Sequence, residues 1–233
     1  MRQIFLDTET TGFDPDQGDR LVEIGCVEMI NRKLTGNHLH FYVNPERDMP
    51  EEAFKVHGLS ADFLRDKPKF GEIAEAVLAF VADAEIIIHN APFDLRFLNS
   101  ELAMVKRPKF KDFVASVLDT LVMAKEMFPG KRNGLDALCD RLEVDNSGRT
   151  LHGALLDAEL LADVYINMTR GQNALMMDNH SPQETGVVTV KIDLSNLELP
   201  VLNASSQELL THDDAMAQIN KACGGKAVWT KAN

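Results

Sequence analysis

Basic residues are in short supply: 24 lysines and arginines face 36 aspartates and glutamates, a formal net charge of −12. Proteins that grip nucleic acid by its backbone are usually basic, so this balance argues against a broad DNA-binding surface. It leaves room for a small site in which bound metal ions supply the positive charge. Long apolar runs are missing too. No stretch reaches the roughly 18 residues of a membrane span, and in "MRQIFLDTE" the acids come too early for a signal peptide. Cysteine is sparse. Cys26, Cys139 and Cys223 are far apart, odd in number and free of any CxxC pair. They read as reduced thiols of a cytoplasmic protein, not as a disulfide framework or a zinc site. Internal repeats and low-complexity tracts are likewise absent. What remains is a chain of 233 residues with 45% hydrophobic content, enough for one sizeable core with an appendage.

Periodicity divides the chain. "RQIFLD", "RLVEIGCVEMIN" and "NHLHFYVNP" are spaced like a three-stranded antiparallel meander with turns near Gly12–Asp19 and Leu34–Asn37. The period then changes. Ile73, Val77, Phe80 and Val81 recur at helical spacing in "FGEIAEAVLAFVADA". "EIIIHN" reads as a short buried strand, followed by a helix that Pro92 helps to start. "FVASVLDT" predicts another strand. Three more helices are expected in "LVMAKEMFPG", "NGLDALCDRL" and "ALLDAELLADVYINMT". The pattern predicts an α/β fold, a mixed sheet with flanking helices, over residues 1–170. Residues 171–186 lose any steady period and read as a linker, and 187–233 form a small second region. A helix there has Ser205 or Ser206 as its cap and Gly224 just past its end. Most of the acidic excess lies in the first 170 residues.

Four acids sit where elements begin or end. Asp7 and Glu9 follow the apolar run Ile4–Leu6, and strand alternation points both to one face. Asp94 follows "EIIIH", and Asp157 lies near the start of the last long helix. Each alone reads equally as a helix cap or a solvated loop residue. Converging, they would repel one another unless divalent cations lay between them, and two Mg²⁺ or Mn²⁺ ions ~3.5–4 Å apart form a site for in-line attack on phosphate. All-oxygen ligation suits such hard cations. His152 stands five residues before Asp157. On a helix the two would point about 140° apart, so a loop placement for His152 is expected. From there it could take a proton from an attacking water, or simply cap the helix at the surface.

The segments "FLDTETTG", "HNAPFD" and "LHGALLDA" resemble the three motifs of the DnaQ-type 3′–5′ exonucleases, members of the DEDD superfamily with an RNase H-like fold. A histidine five residues before the last aspartate marks the DEDDh subclass. The resemblance implies a DNA exonuclease that removes mismatched primer ends during replication and releases nucleoside 5′-monophosphates. It implies two divalent cations, Mg²⁺ or Mn²⁺, held by Asp7, Glu9, Asp94 and Asp157, with His152 as general base. Glu52 and His57 match positions beside the terminal nucleotide, to which Asp7, Glu9 and Asp157 also contribute. Asp119 in "LDTL" is shared as well, and could equally cap the following helix. Lys131 and Arg132 could touch phosphates or form a solvated basic loop. An RNA-trimming enzyme and a catalytically silent assembly subunit are the competing readings.

The linker carries "QNALMM", similar to the Gln-x-x-Leu/Met-x-Phe peptides that dock on bacterial sliding clamps. Gln172 would hydrogen-bond, and Leu175 and Met177 would fill an apolar groove, with Met177 where phenylalanine is common. In the resembled family the tail binds the polymerase alpha subunit. Here the lone tryptophan, Trp229, offers an aromatic anchor near its end. A small theta-like subunit is a further expected partner. No membrane is implied, and the expected location is the cytoplasm, at the nucleoid-associated replisome.

Overall fold

A computed structural model of the chain describes residues 1–148, 151–170 and 204–224. The linker, the clamp-like residues Gln172, Leu175 and Met177, and Trp229 lie outside the described residues. The chain divides into two compact units, Met1–Ser181 and Pro182–Asn233.

The first unit is built on a five-stranded mixed sheet in the order β3-β2-β1-β4-β5. β1 (Arg2–Thr10), β2 (Leu21–Ile30) and β3 (Lys33–Tyr42) form the antiparallel meander. β4 (Glu85–Ile88) and β5 (Ser116–Asp119) add on in parallel to β1. Helices supply the crossovers and flank the sheet: α1 (Glu51–His57), α2 (Ala61–Leu64), α3 (Phe70–Val81), α4 (Ala91–Met104), α5 (Thr120–Met127), α6 (Leu135–Leu142) and α7 (Ala154–Met168). This is the mixed sheet with flanking helices that the periodicity predicts.

Both faces of β1 are covered, which explains its unbroken apolar run. Ile4 and Leu6 join the side chains of α3 and α4 on one face. Phe5 packs on the other among Ala158, Leu161 and Tyr165 of α7, its ring edge-on to Tyr165 at 5.5 Å. A part-buried ion pair fixes the chain as it enters β2. Arg20 donates from Nε and Nη2 to the two carboxylate oxygens of Glu101 on α4, at 2.8 and 2.9 Å. Glu101 is buried, and its carboxylate also accepts from Leu21 N–H. The pair holds the Arg20 guanidinium even more firmly protonated than usual.

The expected turn at Leu34–Asn37 is a correction. The β2–β3 reversal lies at Asn31–Arg32, both with positive φ, so that Ile30 faces Lys33. That is the pairing of a two-residue hairpin whose loop twist matches the strands. Residues 35–37 instead bulge within β3 opposite Glu28, with Gly36 at φ +80°. The Glu28 carboxylate accepts from the Thr35 hydroxyl at 2.9 Å and the Arg2 Nε at 2.7 Å, and these bonds hold it below the usual carboxylate range. The glycine was therefore a bulge signal. Helices α1 and α2, which the sequence reading did not assign, start after Pro50 and after Ser60, whose hydroxyl caps Phe63 N–H.

In the second unit the described segment is α8 (Ser206–Ala222). Ser205 is its cap, in a reciprocal box with Glu208, and Gly224 follows at φ +62°. Among the described residues no helix is long and apolar enough to cross a membrane.

Phe5 is fully buried at the centre of the α7 face. Phe5→Ala should destabilise the first unit by about 3–5 kcal/mol, read as a lower urea midpoint. A loss under about 1 kcal/mol would mean that the α7 face does not act as a packed core.

Candidate active site

The site grows from the end of β1. Asp7 pairs with Gly25 and Glu9 with Glu23 across the β1–β2 ladder, so both acids share the face on which α7 packs. Glu9 is nearly buried, and Asp7 is half-buried. Helix α7 begins above them. Its cap, Gly153, offers no side-chain acceptor, and Asp157 lies buried in the first turn. A carboxylate there is favoured by the positive end of the helix dipole.

His152 precedes α7. Its backbone N–H donates to Val56 O at 3.1 Å, tying this segment to α1. The half-exposed ring lies with Nδ1 3.3 Å from Asp157 Oδ2. One ligand atom each from Glu9, His152 and Asp157 falls within 4.8 Å of the other two. Two carboxylates converging with an imidazole in this way suit a divalent cation, which hard oxygen donors bind well.

Asp7 and Asp94 stand outside this tight trio. Asp94 enters through a sharp elbow: Asn90 takes a left-handed conformation (φ 68°) between β4 and α4, which puts Asp94 in the first turn. The buried carboxylate accepts from the Thr8 hydroxyl at 2.7 Å. Thr8 lies between Asp7 and Glu9 in sequence and so points to the opposite face of β1. Burial drives the Asp94 carboxyl up to about 7, against the lowering effect of the Thr8 hydrogen bond. Asp119 does more than cap. Its Oδ1 accepts from Leu121 and Val122 N–H at the start of α5 and from Asn90 N–H at 3.1 Å, bracing the elbow that leads to Asp94.

Glu52 and His57 come from α1. With Glu9, Phe13 and Phe93 they line a cleft of about 500 Å³, within the ~300–1,000 Å³ range of small-ligand sites. Leu59 N–H donates to His57 Nδ1 at 3.0 Å, so the neutral ring carries its proton on Nε2. That Nε2 is buried near the Thr10 backbone, whose interaction with the ring favours its protonated form. Burial pushes the His57 pKa down, a neighbouring His152 adds to this, and Glu23 opposes it. On its other side His152 borders a second hollow of about 460 Å³, shared with Arg132, Asp136 and Asp140 around the start of α6.

Several residues here escaped the sequence reading. Thr8 and Phe93 lie inside quoted motifs and Phe13 directly follows one, but none of the three carries a titratable group. Glu23, buried opposite Glu9 and paired with His40 Nε2 at 2.7 Å, stands amid a strand pattern that does not mark it. Gly25 did leave a signal, since a lone glycine inside a strand pattern marks close backbone approach.

The family model described as "Exonuclease" matches residues 4–165, and the chain belongs to the exonuclease family. That family is divalent-metal dependent. Its similarity to particular relatives runs almost end to end. The chain is 52% identical over 222 residues to the DNA polymerase III subunit epsilon of Rickettsia prowazekii, covering 94% of this chain and 97% of the relative. It is 46% identical over 237 residues to that of Escherichia coli, covering 98% and 97%. The branch is thus that of the DNA polymerase III epsilon subunits. The fold matches a solved exonuclease X in complex with 5′ overhanging duplex DNA, with a TM-score of 0.57 at 23% identity over 73% of this chain and 93% of that one.

The raised Asp94 carboxyl sets a pH dependence. Below the unfolded-state value near 4 the proton is bound in both states and costs nothing. As pH rises toward about 7, the unfolded chain ionises first and the metal-free fold loses stability relative to it. Asp94→Asn keeps an acceptor for Thr8 and removes this penalty. In EDTA its melting temperature should exceed that of the wild type at pH 8, and the gap should close toward pH 4. Parallel melting curves across that range would show that Asp94 carries no such penalty.

Proposed function

We propose that this protein is a 3′–5′ DNA exonuclease that proofreads mismatched primer ends within the DNA polymerase III core, releasing nucleoside 5′-monophosphates. The observation that carries this reading is the convergence of Glu9, Asp157 and His152 beside the cleft lined by Glu52 and His57. Asp7, Glu9, Asp94 and Asp157 would hold two divalent cations, Mg²⁺ or Mn²⁺. When bound, those cations supply positive charge that neutralises the phosphodiester and stabilises the charge developing in in-line displacement.

The chain's own groups do the rest. The half-exposed His152 ring is positioned to take a proton from the attacking water, and the Asp157 carboxylate stabilises the imidazolium that results. His57 lines the cleft with its proton on Nε2, a donor that the terminal nucleotide would engage. The exposed Phe13 and the ring of Phe93 offer apolar surface to an unpaired base. A frayed 3′ end suits such a cleft better than a paired one, because a mismatched end costs less to separate.

The acidic chain needs help to stay on DNA, and its assembly supplies it. In this proposal residues 1–170 are the nuclease domain, 171–186 a linker with a clamp-binding peptide at Gln172, Leu175 and Met177, and 187–233 the region that binds the polymerase alpha subunit. A theta-like subunit is a further candidate partner. The setting is the cytoplasmic replisome.

A primer with a mispaired 3′ end, assayed in Mg²⁺ and in EDTA, tests the reaction. Cleavage should require the metal and prefer the mismatch. His152→Ala should lower the rate by ~10²–10⁴-fold with metal affinity little changed. A variant that kept the wild-type pH–rate profile would remove His152 from proton transfer.

The tail yields a separate expectation. A chain ending after Arg170 should still degrade short single strands but should lose co-purification with the polymerase. A tether holds the nuclease at ~mM local concentration near the primer end. Gln172→Ala with Leu175→Ala should weaken clamp binding alone, as measured by surface plasmon resonance. Undiminished polymerase binding by the shortened chain would move the docking region elsewhere.

A further inference from the structure

We infer that Gly25 is a positioning residue for the divalent-cation site: the space left by its missing side chain seats the first turn of α7 and so sets Asp157 and His152 against Glu9. This rests on the proposed metal-holding role of Glu9 and Asp157.

Gly25 lies in the interior of β2, and its φ is not in the left-handed region, so conformational freedom is not why glycine is there. Space is. A Cβ at this position would lie 2.3 Å from Leu155 N, 2.4 Å from Ala154 C and 2.5 Å from Ala154 O. All three are backbone atoms of the first turn of α7. A crowding side chain can swing aside, but backbone relaxes only if the helix moves. Restoring ordinary carbon contact at ~3.5–4.0 Å demands a shift of roughly 1 Å.

The location of that shift gives it chemical weight. Gly25 faces Asp7 across the ladder, and Glu23, two residues earlier, faces Glu9. The contact is therefore level with the acids. Further along α7, Ala158, Leu161, Ala162 and Tyr165 are packed on Phe5, Val27 and Met29. The helix is held at that end, so a Cβ at Gly25 would tilt its N-terminal turn outward. This turn carries Asp157 and follows directly on His152. A metal site tolerates ligand-distance errors of only about 0.2 Å. A displacement of the size forced here would separate Asp157 and His152 from Glu9 while leaving the sheet intact.

Mn²⁺ binding, measured by calorimetry on the full-length chain, tests this together with thermal unfolding. Gly25→Val should bind Mn²⁺ roughly 10–100-fold more weakly, as outer supports of metal sites do when altered. Gly25→Ala should shift affinity in the same direction by less. Both variants should retain a cooperative melt. Val77→Ala, a core change in α3 on the opposite face of the sheet, should lower the melting temperature without moving Mn²⁺ affinity. Asp157→Ala separates the two claims. If it leaves Mn²⁺ binding unchanged, the metal-holding reading itself fails. If it abolishes binding while Gly25→Val binds like wild type, only the inference about Gly25 falls. Failure of Gly25→Ala to fold, or an equal affinity loss in Val77→Ala, would also overturn it, because Gly25 would then serve general packing.

Discussion

The alternation of a single strand buried on both faces governs this molecule. The middle of β1 has no solvent side, so its apolar residues must find a place in one of two cores. As long as the residues are apolar this is ordinary packing. At Asp7 the demand changes, because the next side chains are acid, hydroxyl, acid. Alternation sends Asp7 and Glu9 toward α7 and Thr8 toward α4. The hydroxyl then meets Asp94 coming from the other face. One strand end thereby recruits acids from two helices that never touch the same side of the sheet.

The electrostatics follow from that gathering. Buried carboxylates near one another are unfavourable, and each is handled differently. Glu101 is matched by a forked guanidinium and Glu28 by an arginine and a hydroxyl. Asp94 is met by a neutral hydroxyl and backbone N–H groups but by no cation among these bonds, and its burial makes it resist ionisation. Glu9 and Asp157 converge with a histidine, each offering a ligand atom within 4.8 Å of the others. The acids that fasten the fold are matched by arginine, whereas those at the strand end gather at the mouth of the cleft, where a cation is proposed to bind. The net charge of −12 is consistent with a chain that holds a nucleotide end through metal instead of lysine and arginine.

The sequence was most legible where period and chemistry conflicted. Acids terminating an apolar strand were conspicuous, and the order of strands and helices followed from the change of period. His152 could be placed ahead of α7 because a helical position would have turned it away from Asp157. Illegibility had physical causes as well. The hairpin at Asn31–Arg32 lacks glycine, so the nearby Gly36 drew the turn assignment to what is a bulge. Helix α1 is mostly exposed and gave no apolar period. Glu23 is buried only because β2 lies inside a sheet covered by α7, a fact of tertiary packing. The roles proposed for Gln172, Leu175, Met177 and Trp229 concern residues outside the described ones.

The hydrogen bond from His152 N–H to Val56 O joins two parts of the cleft that are almost a hundred residues apart in sequence. On one side of it stands α1, bearing Glu52 and His57. On the other stands the ring proposed to receive the proton. The bond fastens the segment that presents this ring to the helix that lines the cleft, so the two walls are set relative to each other by the chain's own backbone and not by whatever enters between them.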